Sequence, residues 1–271
     1  MSHTVKMNLE DYSYQINSQL VDYCLRGIIP GPEEALSDYL LRAKKIESKN
    51  PDSKVCIDGC VWRACQLISD LYGISEIKAK IFRSNKNLLP WEGGATWISD
   101  HEVTIQLSLR RRWPARSNYT EILTHEFVHI MRQKFNEPIF EELIAYQSSP
   151  KCWRRILGPF LAQSWCCFLL LGSFVLGQIA DWILLSYHWT PIVTSLVILP
   201  LVTSTGIRHY QFQKVKKMMA SSFWPSFANF MMLFLTDREI IRFSKLGQAE
   251  ILKYLKSGKT LRLKALSLFI C

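Results

Sequence analysis

The stretch His125-Glu126-Phe127-Val128-His129 spells H-E-x-x-H. Two histidines four residues apart project from one face of a helix, close enough to grip a single metal ion. Glu126 then stands beside the ion without having to bind it, where it can take and return a proton. The chemistry this set supports is metal-assisted hydrolysis. Two further carboxylates, Glu141 and Glu142, follow shortly after. Asn136 and Pro138 break the histidine helix, so the short helix from Phe140 to Tyr146 can fold back and bring a carboxylate to the ion. Helix phase allows either one. The ordinary alternatives are surface histidines, a solvated Glu126 and a plain acidic helix start. His101-Glu102 also spells H-E, but Val103-Thr104-Ile105 follows in strand period with no second histidine, which reads as a turn.

The elements that must position these residues read in a definite order. Leu9–Leu25 and Pro32–Lys45 have helical spacing, the second opening on a favourable Pro-Glu-Glu first turn. A third helix covers Val55–Tyr72 and ends at Gly73. The period then changes: Glu76–Phe82 alternates as a half-exposed strand does. After a loop with Pro90 and Gly93-Gly94, Ala95–Ser99 and Glu102–Ser108 form two more strands around an Asp100-His101 turn. Arg110–Arg112 and Pro114 close the sheet as a solvated or membrane-facing patch. Ser117 or Asn118 caps a helix running through the histidines to about Lys134.

Helices, a small sheet, then a histidine-bearing helix: over roughly residues 75–148 this order resembles the upper half of the zincin metallopeptidases. Glu141-Glu142-Leu143-Ile144-Ala145-Tyr146 resembles the downstream motif of the gluzincins, whose third ligand is a Glu three residues before a small residue. That rule selects Glu142, paired with Ala145, and leaves Glu141 in reserve. The spacing from His129 is that of the compact members of the group. The resemblance implies one Zn2+ held by His125, His129 and Glu142, with water in the fourth position. It makes Glu126 the general base and later the general acid, and Tyr146 a candidate donor to the oxyanion. It also implies a peptide or protein substrate paired with a free sheet edge, for which Glu102–Ser108 is the candidate strand. In a second membrane peptidase family two spans separate H-E-x-x-H from Glu-x-x-Ala-Asp. The matching stretch here, Arg208–Gln213, lacks a carboxylate.

Hydropathy sets the rest. Ile156–Ala180 contains no charged residue, and Trp182–Ile207 has only His188 as an ionisable group. Each run is long enough to cross about 30 Å of hydrocarbon. Lys151, Arg154 and Arg155 precede the first, and Arg208, Lys214, Lys216 and Lys217 follow the second. The positive-inside tendency then predicts an integral membrane protein with two spans and both termini cytoplasmic. No charged-then-apolar leader opens the chain, in keeping with a cytosolic start. Of the net charge of +10, residues 208–271 hold 12 Lys+Arg against 3 Asp+Glu. Basic sequence directly after a span points to anionic lipid, not nucleic acid. Eight scattered cysteines without a C-x-x-C pair read as reduced thiols.

The expected architecture is α+β. A zincin-like domain (1–150) of N-terminal helices, small sheet, H-E-x-x-H helix and third-ligand helix comes first. A transmembrane helical hairpin (151–208) follows, then a basic helical C-terminal region (209–271), in which the helices Arg238–Lys245 and Gln248–Lys256 form an appendage without chemistry of its own. The apolar Met218–Leu235 stretch packs on the membrane surface or against the first domain. The function expected is a membrane-anchored zinc peptidase with its site facing the cytosol. The alternative is an inactive zincin-like interaction protein.

Overall fold

Helical periodicity holds through the start of the chain because apolar residues recur on one face. A computed structural model describes residues 9–48, 58–89, 92–99, 103–109, 119–161, 164–184, 188–223 and 225–270. Helices α1 (Leu9–Leu25), α2 (Leu36–Glu47) and α3 (Asp58–Tyr72) bury Leu20, Cys24, Tyr39, Ala43, Ala64 and Ile68. Helix α2 begins later than Pro32 because Glu34 is held in the preceding turn. Its carboxylate accepts from Gly31 N at 2.9 Å and from Arg42 Nε at 2.7 Å. The expected start of α3 at Val55 lies outside the described residues.

Three strands follow, β1 (Lys80–Arg83), β2 (Gly94–Ile98) and β3 (Val103–Leu107), in the spatial order β1-β3-β2. β3 pairs in parallel with β1, Ile81 opposite Ile105, and antiparallel with β2, Thr96 opposite Ile105. The strand expected at the free edge is therefore the central one. β2 holds the edge beside the next helix. The backbone of Ser108 donates to Gly93 O at 2.9 Å, which fixes the alternation of the ladder. Gly94, Thr96 and Ile98 consequently turn their backbone N–H and C=O groups away from β3. The Asp100-His101 turn, Glu102, the Arg110–Arg112 patch and the Ser117/Asn118 cap lie outside the described residues.

Helix α4 (Tyr119–Met131) is buried nearly all round, and α5 (Glu141–Tyr146) folds back against it. α4 stops at Met131 rather than Lys134 because the chain tightens there, with Gln133 N donating to Ile130 O and Phe135 N to Arg132 O. Helix α6 (Cys152–Leu161) leads to α7 (Ser164–Ile183) and α8 (Trp189–Ser222), which pack along each other. Their close approach depends on Gly177, where a Cβ would come within 2.5 Å of the Thr190 backbone. At the turn the Asp181 carboxylate accepts from Trp189 N, Thr190 N and Thr190 Oγ1, occupying the orphan donors of α8. One described helix, Trp189–Ser221, is long and apolar enough to cross a membrane; the apolar stretch of α7, Phe168–Ile183, is shorter.

Four helices follow, α9 (Pro225–Phe234), α10 (Asp237–Phe243), α11 (Gln248–Leu255) and α12 (Leu261–Ser267). α9 packs against the first part of the chain, one of the two places expected for it, and the helices after it join the same core instead of standing off as an appendage. Phe230, Met231, Leu233 and Phe234 are buried in the same core as Leu123, Phe127 and Ile144. α9 packs on α3 and α12 on α1, and Asn229 donates to Leu71 O at 3.1 Å. The Met218–Leu235 stretch is apolar because it is core. Thr236 caps α10 in a full capping box with Glu239, as its place before Asp237 leads one to expect.

Candidate metal centre

Helix α4 puts His125 and His129 one turn apart with their Nε2 atoms 3.2 Å from each other. Two imidazole nitrogens this close can share either a proton or a cation. α5 supplies a carboxylate there: Glu142 Oε2 lies 3.4 Å from His125 Nε2, and Glu142 Oε1 lies 3.5 Å from His129 Nε2. Among the described residues these three form the one group of His, Cys, Asp and Glu side chains with metal-ligand spacing. Bonds of about 2.0–2.2 Å at tetrahedral angles put zinc ligand atoms roughly 3.3–3.5 Å apart. The pair of rings is near that spacing, each Glu142 oxygen stands at it from one ring, and one ligand atom from each of the three residues lies within 4.8 Å of the others. Nitrogen, nitrogen and oxygen are a donor set zinc accepts. The residues present fit the ion.

The adjacent Glu141 has a different task. Its Oε1 lies 3.1 Å from His129 Nδ1, on the far side of the ring. A proton held on Nδ1 by this carboxylate leaves the Nε2 lone pair facing His125 and Glu142, the tautomer a metal requires. Glu141 is itself gripped by Arg132, whose Nε donates to Oε2 at 2.7 Å. Arg132 is fully buried, stacks over Phe135 at 4.2 Å, and donates from Nη1 to Leu233 O and Leu235 O. Asp237 accepts from Ile139 N and Phe140 N at the start of α5. The C-terminal helices thus hold both the orienting pair and the helix that carries Glu142.

Electrostatics follow from these contacts. Burial disfavours a charged His129, but Glu141, Glu142 and Glu126 outweigh it and push the ring up to about 9. Burial likewise works against a charged Glu142, yet His125 and His129 bring it down to about 2. Glu141 is also lowered: Arg132 and His129 overcome its burial. Both carboxylates are therefore ionised at neutral pH.

Glu126 points from α4 toward the sheet edge, where Thr96 Oγ1 donates to its Oε2 at 2.8 Å. The Tyr146 ring packs against His125, centroids 4.5 Å apart. Burial raises the Tyr146 phenol, with Glu142 adding to the effect, so it keeps its proton. At the other end of α4, buried Glu121 meets Ser149 Oγ and Arg154 Nη1, the latter at 2.9 Å.

The structure brings together every residue singled out for chemistry: His125, Glu126, His129, Glu141, Glu142 and Tyr146. Sequence reasoning missed Arg132 and Thr96. Arg132 stands three residues after His129, the spacing of a shared helix face, and that was its only local signal. Thr96 has none, since its role depends on which strand takes the edge. No family of known proteins, no curated protein and no solved structure matches this chain.

Proposed function

We propose that the chain is a membrane-anchored zinc peptidase, a compact zincin-like unit whose site faces the cytosol. The observation that carries this reading is the convergence of His125 Nε2, His129 Nε2 and the Glu142 carboxylate within ligand distance of one point, with Glu126 beside them. Charge supports it as well. Glu126 and Glu142 bring two negative charges, the Glu141–Arg132 pair is neutral, and one divalent cation balances the set. When bound, zinc would polarise a peptide carbonyl and make a water acidic enough to ionise near pH 7.

The chain's own residues do the remaining work. Glu126 takes the proton of the attacking water and delivers it to the departing amide nitrogen. Thr96 steadies one Glu126 oxygen and leaves the other for that transfer. The outward backbone groups of Gly94, Thr96 and Ile98 lie on the strand that contacts Glu126, so an extended peptide adding to β2 passes the site. Tyr146, protonated and packed against His125, is the candidate donor to a developing oxyanion. The α7–α8 hairpin spans the membrane twice in this reading, with the cations around α6 and the end of α8 on the cytosolic side.

The test uses the full chain in detergent. Wild type should bind one zinc per chain and cleave members of a mixed peptide pool. Glu126→Gln should keep the zinc and lose turnover on the order of 10²–10⁴-fold, whereas His129→Ala should lose the metal. Zinc bound without turnover in wild type would leave a metal-stabilised binding module.

A further inference from the structure

Helix α6 has two faces with different neighbours. Arg154 and Gly158, one turn apart, look into the protein. Arg154 bonds Glu121 of α4, and a Cβ on Gly158 would come within 2.4 Å of the Tyr146 ring. Tyr146 in turn touches the metal ligand His125. On the other face Trp153, Ile156 and Leu157 are each half or more exposed. That face is flanked by exposed Arg155, with Lys216 of the neighbouring α8 close enough to act on it, while half-exposed Lys151 reaches Glu121 at the start of the helix.

What covers the outer face is set by its level along α8. His209 Nε2 bonds the Ile156 carbonyl at 3.0 Å, fastening α6 to α8. From Trp189, where α8 begins, to His209 is about 30 Å at about 1.5 Å per residue, the thickness of a hydrocarbon core. Between these points α7 and α8 expose an apolar belt that includes Phe174, Leu176, Leu196, Leu199 and Val202. α6 therefore crosses α8 at the level where the apolar run gives way to Arg208. An aromatic and aliphatic face edged by cations at that level matches the chemistry of an anionic headgroup layer.

We infer that α6 lies flat in the cytosolic headgroup layer with the metal site directly above it, so that the substrates are extended polypeptide segments emerging from that same leaflet. This rests on the zinc peptidase reading and on membrane insertion of the hairpin. α5 carries Glu142 and packs on α6, and packed helix axes lie about 8–10 Å apart. The metal centre is thus roughly one helix layer from lipid, and a chain leaving the bilayer reaches it within a few residues. A site standing off the membrane would need a long tether.

The test reconstitutes the full chain in phosphatidylglycerol/phosphatidylethanolamine vesicles. A photoreactive benzoylphenylalanine replaces Trp153 or Leu157, and lipid adducts are read by mass spectrometry; adducts at both positions are expected. The second arm supplies a mixed-sequence fluorogenic peptide pool tethered by a palmitoyl chain through a spacer of about four or about thirty residues, chosen at about 3.5 Å per extended residue. The short-spacer pool should be cut at least as fast as the long one, and on the order of 10²-fold faster than the untethered pool. Absence of lipid adducts overturns the placement of α6. Adducts with cleavage of only long-spacer or free peptides overturn the substrate class and leave the peptidase standing. Adducts and bound zinc with no cleavage of any pool overturn the peptidase reading, and this substrate class with it.

Discussion

Glu141 and Glu142 are neighbours in the chain and opposites in role. Successive helical residues differ by about 100° in direction, so when Glu142 faces the paired Nε2 atoms, Glu141 faces the outer nitrogen of His129. Substituting each should separate the two tasks. Glu142→Gln should abolish stable zinc binding, whereas Glu141→Gln should keep the site and weaken it about 10–100-fold; zinc competition against a chromogenic chelator distinguishes them. His129 gives a second prediction. Its folded value of about 9 lies above its ordinary 6.5, so the folded chain holds that proton more tightly than the unfolded chain does. The resulting stability is complete below about pH 6.5 and lost as pH climbs to about 9. Chelator-treated protein should melt at falling temperature across that window. Zinc requires the unprotonated ring, so its affinity should rise with pH over the same range, which a zinc titration at several pH values reads directly.

At the scale of elements, α6 and α5 meet with almost no clearance. Gly158→Ala drives a methyl into the Tyr146 ring, and that ring rests on His125. Overpacking of this kind costs about 1–3 kcal/mol. A lowered denaturation midpoint together with weakened zinc binding is the expected result, because the strain is relieved toward the ligand. What the sequence disclosed at this scale has a physical boundary. The histidine pair was legible because four-residue spacing on a helix is local geometry. The choice between Glu141 and Glu142 was not, because a six-residue helix carries too little periodicity to fix its phase; resemblance named Glu142 instead. The strand at Val103–Leu107 was readable, but its place in the sheet was not, and as the central strand it buries Gln106 as well as Ile105 and Leu107. Alternation says which side of a strand is buried and nothing about its neighbours. Parallel pairing of β1 with β3 across the intervening β2 is a tertiary outcome. The same holds for α9, where an apolar run suits a bilayer or a protein interior equally well in composition.

For the whole molecule, residues 1–150 do not make an independent unit. Their core is completed by Phe230, Leu233, Phe234 and Ile240, and the charge on Arg132 is met by carbonyls a hundred residues downstream. A fragment ending at Ser149 leaves that guanidinium with Glu141 but without its backbone acceptors, and strips apolar cover from α3 and α4. It should expose its core, seen as rapid proteolysis and loss of near-ultraviolet dichroism, while the full chain resists both.

That dependence also dictates a calendar. A ribosome has made both histidines long before it makes Leu233, and helices α6 to α8 come between the two events. Until then Arg132 has Glu141 and Phe135 as partners but lacks the two carbonyls that complete its setting. A nascent chain therefore has both rings before it has the support that orients them, and the site is finished last.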